Sequence, residues 1–273
     1  MVLKVSIEYK TSWGEQLVLC AGKKRYALSY MADGLWTGEI ARCNPDNFQD
    51  YGYEVVRDGV TVRREWKGHS LSVPEGEVKV LEVKDRWNDR PADAPFYSSA
   101  FTGAIFARNG KPLKTNKIKD ANVVLKVTAP AVRPNEVLAM AGSGRSLDDW
   151  NAVIPFDESE FPVWTLKLKV TSPFAYKLVI ADKDTLVPLA WENGDNRMFD
   201  NVPGEGVIFT DASACPEFTG RQWRGAGTAI PVFSLRSEDD FGVGEFYDLK
   251  KMVDWAVETG QSVLQLLPIN DTT

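Results

Sequence analysis

Short runs in which apolar and polar residues alternate, each closed by turn-forming residues, fill the first two-thirds of the chain. The first set is Val5/Ile7/Tyr9, Leu17 to Cys20, Leu35 to Ile40, Tyr51/Tyr53/Val55, Val60/Val62 and Val78 to Val83. Turn residues separate these runs, as at Ala32-Asp33-Gly34 and Arg57-Asp58-Gly59. Side chains on a strand alternate between its two faces, so such runs suit strands buried on one side and leave a helix no continuous apolar stripe. A second set follows: Val123/Leu125/Val127, Val137 to Ala141, Leu166 to Val170, Tyr176/Leu178/Ile180 and Leu186 to Trp191. Two such sets predict two tandem antiparallel β-sandwiches of immunoglobulin-like type. Between them Asp85 to Asp120, with Pro91, Pro95 and Pro112, reads as a connector whose apolar part, Phe96 to Phe106, packs on a domain.

The last fifty-odd residues change period. Gly227 to Phe233 is a short apolar strand, and Glu245 to Thr259 places Phe246, Leu249, Val253, Ala256 and Val257 on one helical face, with Gly260 positioned as the C-terminal cap. Ser262 to Ile269 is nearly continuous apolar sequence, the pattern of a parallel strand covered on both faces. Strand, helix and strand make one βαβ unit, whereas a closed (β/α)8 barrel takes about 250 residues. The expected fold is therefore mainly β: sandwiches over residues 1–108 (with connector) and 117–215, then the start of a truncated TIM barrel over 216–273.

Composition narrows the partners. A net charge of -6 and a pI near 5.1 argue against nucleic acid, which needs a basic stripe. Cys20, Cys43 and Cys215 are odd in number and widely spaced, so they read as free buried thiols in a reducing compartment. The N-terminal residues alternate apolar and charged from Lys4 onward, unlike a signal peptide, and no stretch is long and apolar enough to span a membrane. A cytoplasmic protein is expected. No metal-ligand spacing and no cofactor motif occurs; Gly225-Ala226-Gly227 lacks the rest of a phosphate loop. His69, the only histidine, has no nucleophile motif around it and reads as a surface or loop residue.

Within the second set stand Leu147-Asp148-Asp149-Trp150, Tyr176-Lys177, Trp191-Glu192 and Asn196-Arg197. A sugar ring packs its C–H face on an indole, while its rim of hydroxyls needs directional donors and acceptors. Two tryptophans, a lysine and an asparagine amide supply both. The competing reading, that these tryptophans fill a sandwich core, is weakened by their polar neighbours.

In order and spacing these motifs, from about residue 120 to 204, resemble the starch-binding modules of carbohydrate-binding module family 20. Departures from the family pattern are Asp148, where glycine is usual, and Ala175 ahead of the Tyr-Lys pair. The resemblance implies that Trp150 and Trp191 stack on glucose rings and that Lys177 and Asn196 hydrogen-bond hydroxyls, with Glu192 taking part or bracing the loop. The first set resembles a poorer copy, through Thr11-Ser12-Trp13-Gly14, Leu35-Trp36-Thr37-Gly38 and Arg64-Glu65. In that alignment Glu54 stands at the place of Lys177 and Arg64 at that of Trp191, and Trp13 with Trp36 is the candidate secondary glucan site. In the second copy the opening aromatic is replaced by Val132-Arg133-Pro134-Asn135, which leaves Trp164.

Gly225 to Arg236, Phe241-Gly242-Val243-Gly244-Glu245-Phe246 and Leu264 to Thr272 resemble the opening of glycoside hydrolase family 77, the 4-α-glucanotransferases of amylomaltase and disproportionating-enzyme type. That resemblance implies a retaining transfer of α-1,4-glucan segments, with two carboxyls roughly 5 Å apart carried by later barrel strands. No residue of this chain is therefore assigned a catalytic role, and the chain alone is expected to bind without catalysing. Glu238-Asp239-Asp240 reads as a solvated loop, and Asp271 falls at the strand end where barrel active sites gather. The expected partners are α-glucan polysaccharide or maltooligosaccharide, together with self-association through the exposed barrel segment. The alternatives are a non-catalytic glycogen- or starch-binding scaffold and a module of another starch-active enzyme.

Overall fold

The computed structural model describes residues 1–71, 73, 78–113, 115, 118 and 120–269. Backbone contacts divide the chain after Gly220. In the first unit, the N-terminal half forms β1 (Val2–Glu8), β2 (Glu15–Ala21), β3 (Lys24–Ala27), β4 (Ser29–Tyr30), β5 (Leu35–Ile40), β6 (Tyr51–Arg57), β7 (Val60–Arg64) and β8 (Val80–Arg86). The C-terminal half forms β9 (Val123–Thr128), β10 (Glu136–Gly142), β11 (Ile154–Pro155), β12 (Asp157–Glu160), β13 (Val163–Leu168), β14 (Phe174–Asp182), β15 (Pro188–Trp191), β16 (Arg197–Phe199) and β17 (Val207–Asp211).

Each half closes on its own four- or five-stranded sheet, β3-β2-β6-β7 in the first and β11-β10-β14-β15 with β16 in the second. Their other strands join into one eight-stranded sheet, ordered β12-β13-β9-β17-β8-β1-β5-β4. The join is parallel: β8 pairs with β1 on one side and with β17 on the other, and β17 pairs with β9. At this seam the buried face changes. Leu81 and Val83 of β8 share a core with Ile208 of β17 and Val124 of β9, while Phe209, Val123 and Leu125 face the second core. Because neighbouring residues on a strand point to opposite faces, β17 and β9 serve both cores, and the two sandwiches lie on opposite faces of one shared sheet. Two tandem sandwiches are expected from the sequence; in the structure one sheet runs continuously through both.

The connector packs as expected, and on both halves. Phe96, Phe101 and Phe106 form an aromatic cluster with centroids 4.9–5.9 Å apart. Arg108 then donates to the carbonyls of Val132, Arg133, Pro134 and Glu136 and lies 4.6 Å from the Trp164 ring centroid. Tyr97 meets Trp66 of the first half edge to face at 5.3 Å. Trp36 and Trp164 are both core residues, with indole N–H groups donated to the carbonyls of Tyr9 and Ala129. All three cysteines are free; Cys43 is buried and Cys20 half-buried, but Cys215 is exposed, which corrects the expectation for that thiol.

In the second unit, β18 (Gly227–Ile230) and β19 (Val263–Leu266) pair in parallel around α1 (Leu249–Glu258). A capping box between Glu245 and Asp248 opens the helical segment. Gly260, with φ 68°, closes it: its N–H reaches the Val257 carbonyl and that of Gln261 reaches Ala256, the pairing of a Schellman cap. Of the apolar face read from the sequence, Ala256 is buried, whereas Phe246, Val253 and Val257 are exposed. Asp271 lies outside the described residues. No helix among the described residues is long and apolar enough to cross a membrane.

Trp164 fills the second core and satisfies its N–H there, so Trp164→Ala is expected to cost about 3–5 kcal/mol and to lower the thermal midpoint in calorimetry.

Candidate functional site

One end of the second sandwich's smaller sheet gathers the residues marked by the sequence. The register pairs Gly142, the last residue of β10, with Tyr176, and Ala141 with Lys177. On the other side of β14, Val179 pairs with Trp191, the last residue of β15. The turn after β10 carries Trp150 and the loop after β15 carries Asn196, so both leave the sheet at the end where Lys177 stands.

The turn bearing Trp150 is held from below. Leu147 is 3% exposed and packs over Gly142, where an added Cβ would sit 2.6 Å from a Leu147 methyl and 2.6 Å from the Ala175 carbonyl. Only glycine permits that approach. Asp148, Asp149 and Trp150 follow with φ of 51°, 44° and 73°, all in the left-handed region. This accounts for the usual glycine at position 148: its backbone demands positive φ, which aspartate tolerates better than most residues. The Asp149 carboxylate accepts the Gly144 N–H at 2.7 Å and closes the loop. Trp150 is half-buried.

Trp191 is 44% exposed. Lys177 donates to the carbonyls of Glu192 at 3.1 Å and Gly194 at 2.7 Å, fixing its ammonium against the Trp191 loop. An ammonium has three donors, so these two bonds leave one for a ligand hydroxyl. Asn196 is exposed on the same loop. Glu192 differs from the other four. Its side chain is buried, accepts the Leu178 N–H at 2.8 Å, and takes Arg197 through both oxygens, at 2.8–3.0 Å. Of its two expected roles it fills the bracing one: the carboxylate is consumed inside the protein. The Arg197 pKa reflects the pair; burial works against its charge, but Glu192 outweighs that and raises it.

The first sandwich repeats the brace with other chemistry. Glu65 accepts the Tyr53 N–H at 2.7 Å, as Glu192 accepts that of Leu178, and His69 contacts Glu65 at 2.9 Å where Arg197 contacts Glu192. The match sets Arg64 opposite Trp191 as expected, but it sets Gly52, not Glu54, opposite Lys177. Both sheets agree on this, since Cys20 pairs with Gly52 as Ala141 pairs with Lys177. Glu54 lies two residues further along β6, where Arg25 and Arg64 engage it at 2.6–2.7 Å. His69 is thus an interior residue and not a surface one: Glu65, Asp85, Tyr51 and Tyr53 surround it, and both tyrosine hydroxyls donate to Asp85. The candidate secondary pair is not assembled. Trp13 is 99% exposed, whereas Trp36 is 5% exposed inside the first core.

The acidic run Glu238-Asp239-Asp240 is a loop cap. Lys251 pairs with Glu238 at 2.6 Å and Asp239 at 3.3 Å, and Asp240 accepts the N–H groups of Ser237 and Gly242.

Residues 120–206 match the family model described as starch binding domain, and residues 230–273 match that of 4-alpha-glucanotransferase. The 4-alpha-glucanotransferase DPE2 of Oryza sativa subsp. japonica is 32% identical over the whole chain. Over its whole length the chain is homologous to part of this rice protein. Residues 120–206 are similar to starch-binding domains, and residues 230–273 to a part of the 4-alpha-glucanotransferases. The chain spans about a third (32%) of the length of the rice relative. The 4-alpha-glucanotransferase of Chlamydia trachomatis is 50% identical over 46 residues, 17% of this chain and 9% of its own. Among solved structures, the family 20 carbohydrate-binding module of a maltotetraose-forming amylase from Pseudomonas saccharophila overlays with a TM-score of 0.29 at 17% identity, covering 34% of this chain and 98% of that one.

Two outcomes follow from the braces. Removing the guanidinium in Arg197→Ala strands the buried Glu192 carboxylate, at a cost of about 3 kcal/mol by chemical denaturation. In the first sandwich, burial opposes the His69 proton, but Asp85 and Glu65 prevail and lift its pKa above the usual 6.5. Stability from this raised pKa is complete below the unfolded value and lost as pH rises through the folded one. The stability difference between the wild type and His69→Gln is expected to shrink across that window above pH 6.5, as read by urea titrations at a series of pH values.

Proposed function

We propose that the chain binds α-glucans, whether starch, glycogen or maltooligosaccharide, at the end of the second sandwich formed by Trp150, Trp191, Lys177 and Asn196. The observation that carries the reading is the Lys177 ammonium, tied to the carbonyls of Glu192 and Gly194 beside the half-exposed Trp191. A fixed cation with a donor to spare, next to an indole face, offers a glucose ring a stacking surface and a directed hydrogen bond. Trp150 supplies a second ring from a turn held by Leu147 and Gly142, and Asn196 an amide. Glu192 and Arg197 hold the loop that presents them.

In the whole protein this domain would hold a glucan beside a transferase site that moves α-1,4-glucan segments by a retaining double displacement with two carboxylates. The homology to 4-alpha-glucanotransferases supports this reaction. The βαβ unit formed by β18, α1 and β19 supports the start of a (β/α)8 barrel. No residue here is assigned to the chemistry, and the chain alone is expected to bind without transferring. Three free cysteines support a cytoplasmic setting. Exposed Phe246, Val253 and Val257 support self-association through the terminal segment.

Calorimetric titration with maltoheptaose tests the binding reading. Trp150→Ala/Trp191→Ala is expected to weaken binding by at least about tenfold without changing the fold, by loss of two stacking contacts. Unchanged affinity in the double variant would overturn the site.

A further inference from the structure

The first sandwich does not copy the platform of the second, yet the same place on it is not bare. With Glu65 set on Glu192, Trp66 falls two residues beyond Arg64, the residue that occupies the Trp191 position. β7 ends at Arg64 and Trp66 lies in the bend that follows, so the aromatic is carried just beyond the strand end. Trp66 is 39% exposed. Its backbone is fixed, because its N–H donates to the Asn88 carbonyl at 2.9 Å while the Asn88 amide donates to the carbonyl of Lys67 at 3.0 Å and the Asn88 N–H to Glu65 at 2.8 Å.

A second ring arrives from the connector. Tyr97 ends the short helical turn Ala94–Tyr97 and meets Trp66 at 5.3 Å with ring planes 88° apart, and the Lys67 ammonium lies 5.5 Å from the Tyr97 centroid. Two perpendicular rings with a cation beside them make a corner. A sugar can rest its C–H face on one ring and its edge against the other, with the ammonium and phenol left for hydroxyls.

We propose that Trp66, Tyr97 and Lys67 form a second α-glucan site, belonging to the first sandwich and completed by the connector. The proposal rests on the reading of the chain as an α-glucan binder, but not on the residues of the second sandwich. It replaces the pair of Trp13 and Trp36, which the burial of Trp36 rules out. Burial pushes the Tyr97 phenol up to about 12, with Asp93 adding to it, so the hydroxyl keeps its proton and remains a donor at neutral pH. Arg64 does not compete for the ligand as a stacking group, since Glu54 holds it at 2.6 Å.

The test is fluorine NMR on the whole chain labelled with 5-fluorotryptophan, with the resonances of Trp66, Trp150 and Trp191 assigned through single Trp→Phe variants. On titration with maltoheptaose the Trp66 resonance is expected to shift along its own saturation curve, and to keep shifting in the Trp150→Ala/Trp191→Ala background. Tyr97→Ala in that background is expected to weaken this curve by a few-fold to about tenfold, the worth of one aromatic contact. A Trp66 resonance unmoved at millimolar glucan overturns the proposal, whatever Trp150 and Trp191 do. A Trp66 shift that vanishes when only Trp150 and Trp191 are replaced overturns it as well, because the effect would then be transmitted and not local. A shift of Trp66 with Trp150 and Trp191 unmoved sustains this site and removes the one proposed for the second sandwich.

Discussion

The parallel ladder between β8 and β17 is the constraint on which the N-terminal unit depends. A β-sandwich must keep two sheets face to face, and each copy here lends one of its sheets to a common eight-stranded one. Without the ladder, β8 and β17 would each present a row of unpaired N–H and C=O groups, the usual template for aggregation. With it, the edges vanish, and Ile208 and Val124 complete a core that the first copy cannot close by itself. The connector reinforces the same seam, with Tyr97 on one half and Arg108 on the other.

A common scaffold supports divergent surfaces. In both halves a buried glutamate accepts a backbone N–H of the central strand and fixes the loop beyond it. In the second half its partner is Arg197, a permanent cation, and the loop carries Trp191 and Asn196. In the first the partner is His69, whose charge depends on pH, and the loop carries Arg64 and Trp66. The brace belongs to the fold; the residues it presents differ between the two halves. The Trp150 indole is held by its surroundings, with the buried Leu147 beneath its turn.

Much of this was legible in the residues. Strand period, helix caps and the platform motifs are local signals, and β14, α1 with Gly260, and the grouping of Lys177 with Trp191 follow from them. The core placement of Trp164 was also within reach, since Trp164, Leu166 and Leu168 keep one face of β13. Three things were not. Pairing of β8 with β17 joins segments more than a hundred residues apart and leaves no period in either. Glu54 stands two residues from the counterpart of Lys177, because alternation survives such a slip; the glutamate-to-backbone bond and the strand register together put Gly52 there. His69 has no flanking pattern, and its burial depends on Asp85 of the following strand, β8, and on Tyr51 and Tyr53 of β6.

Duplicated modules joined by a linker are free to drift apart, each tuned separately and each dispensable. Fusion through hydrogen-bonded backbone removes that freedom. Any change in the twist of one half is felt at the ladder, and deleting either half would leave the other with a raw edge and an uncovered core. The two halves therefore fold, or fail to fold, together.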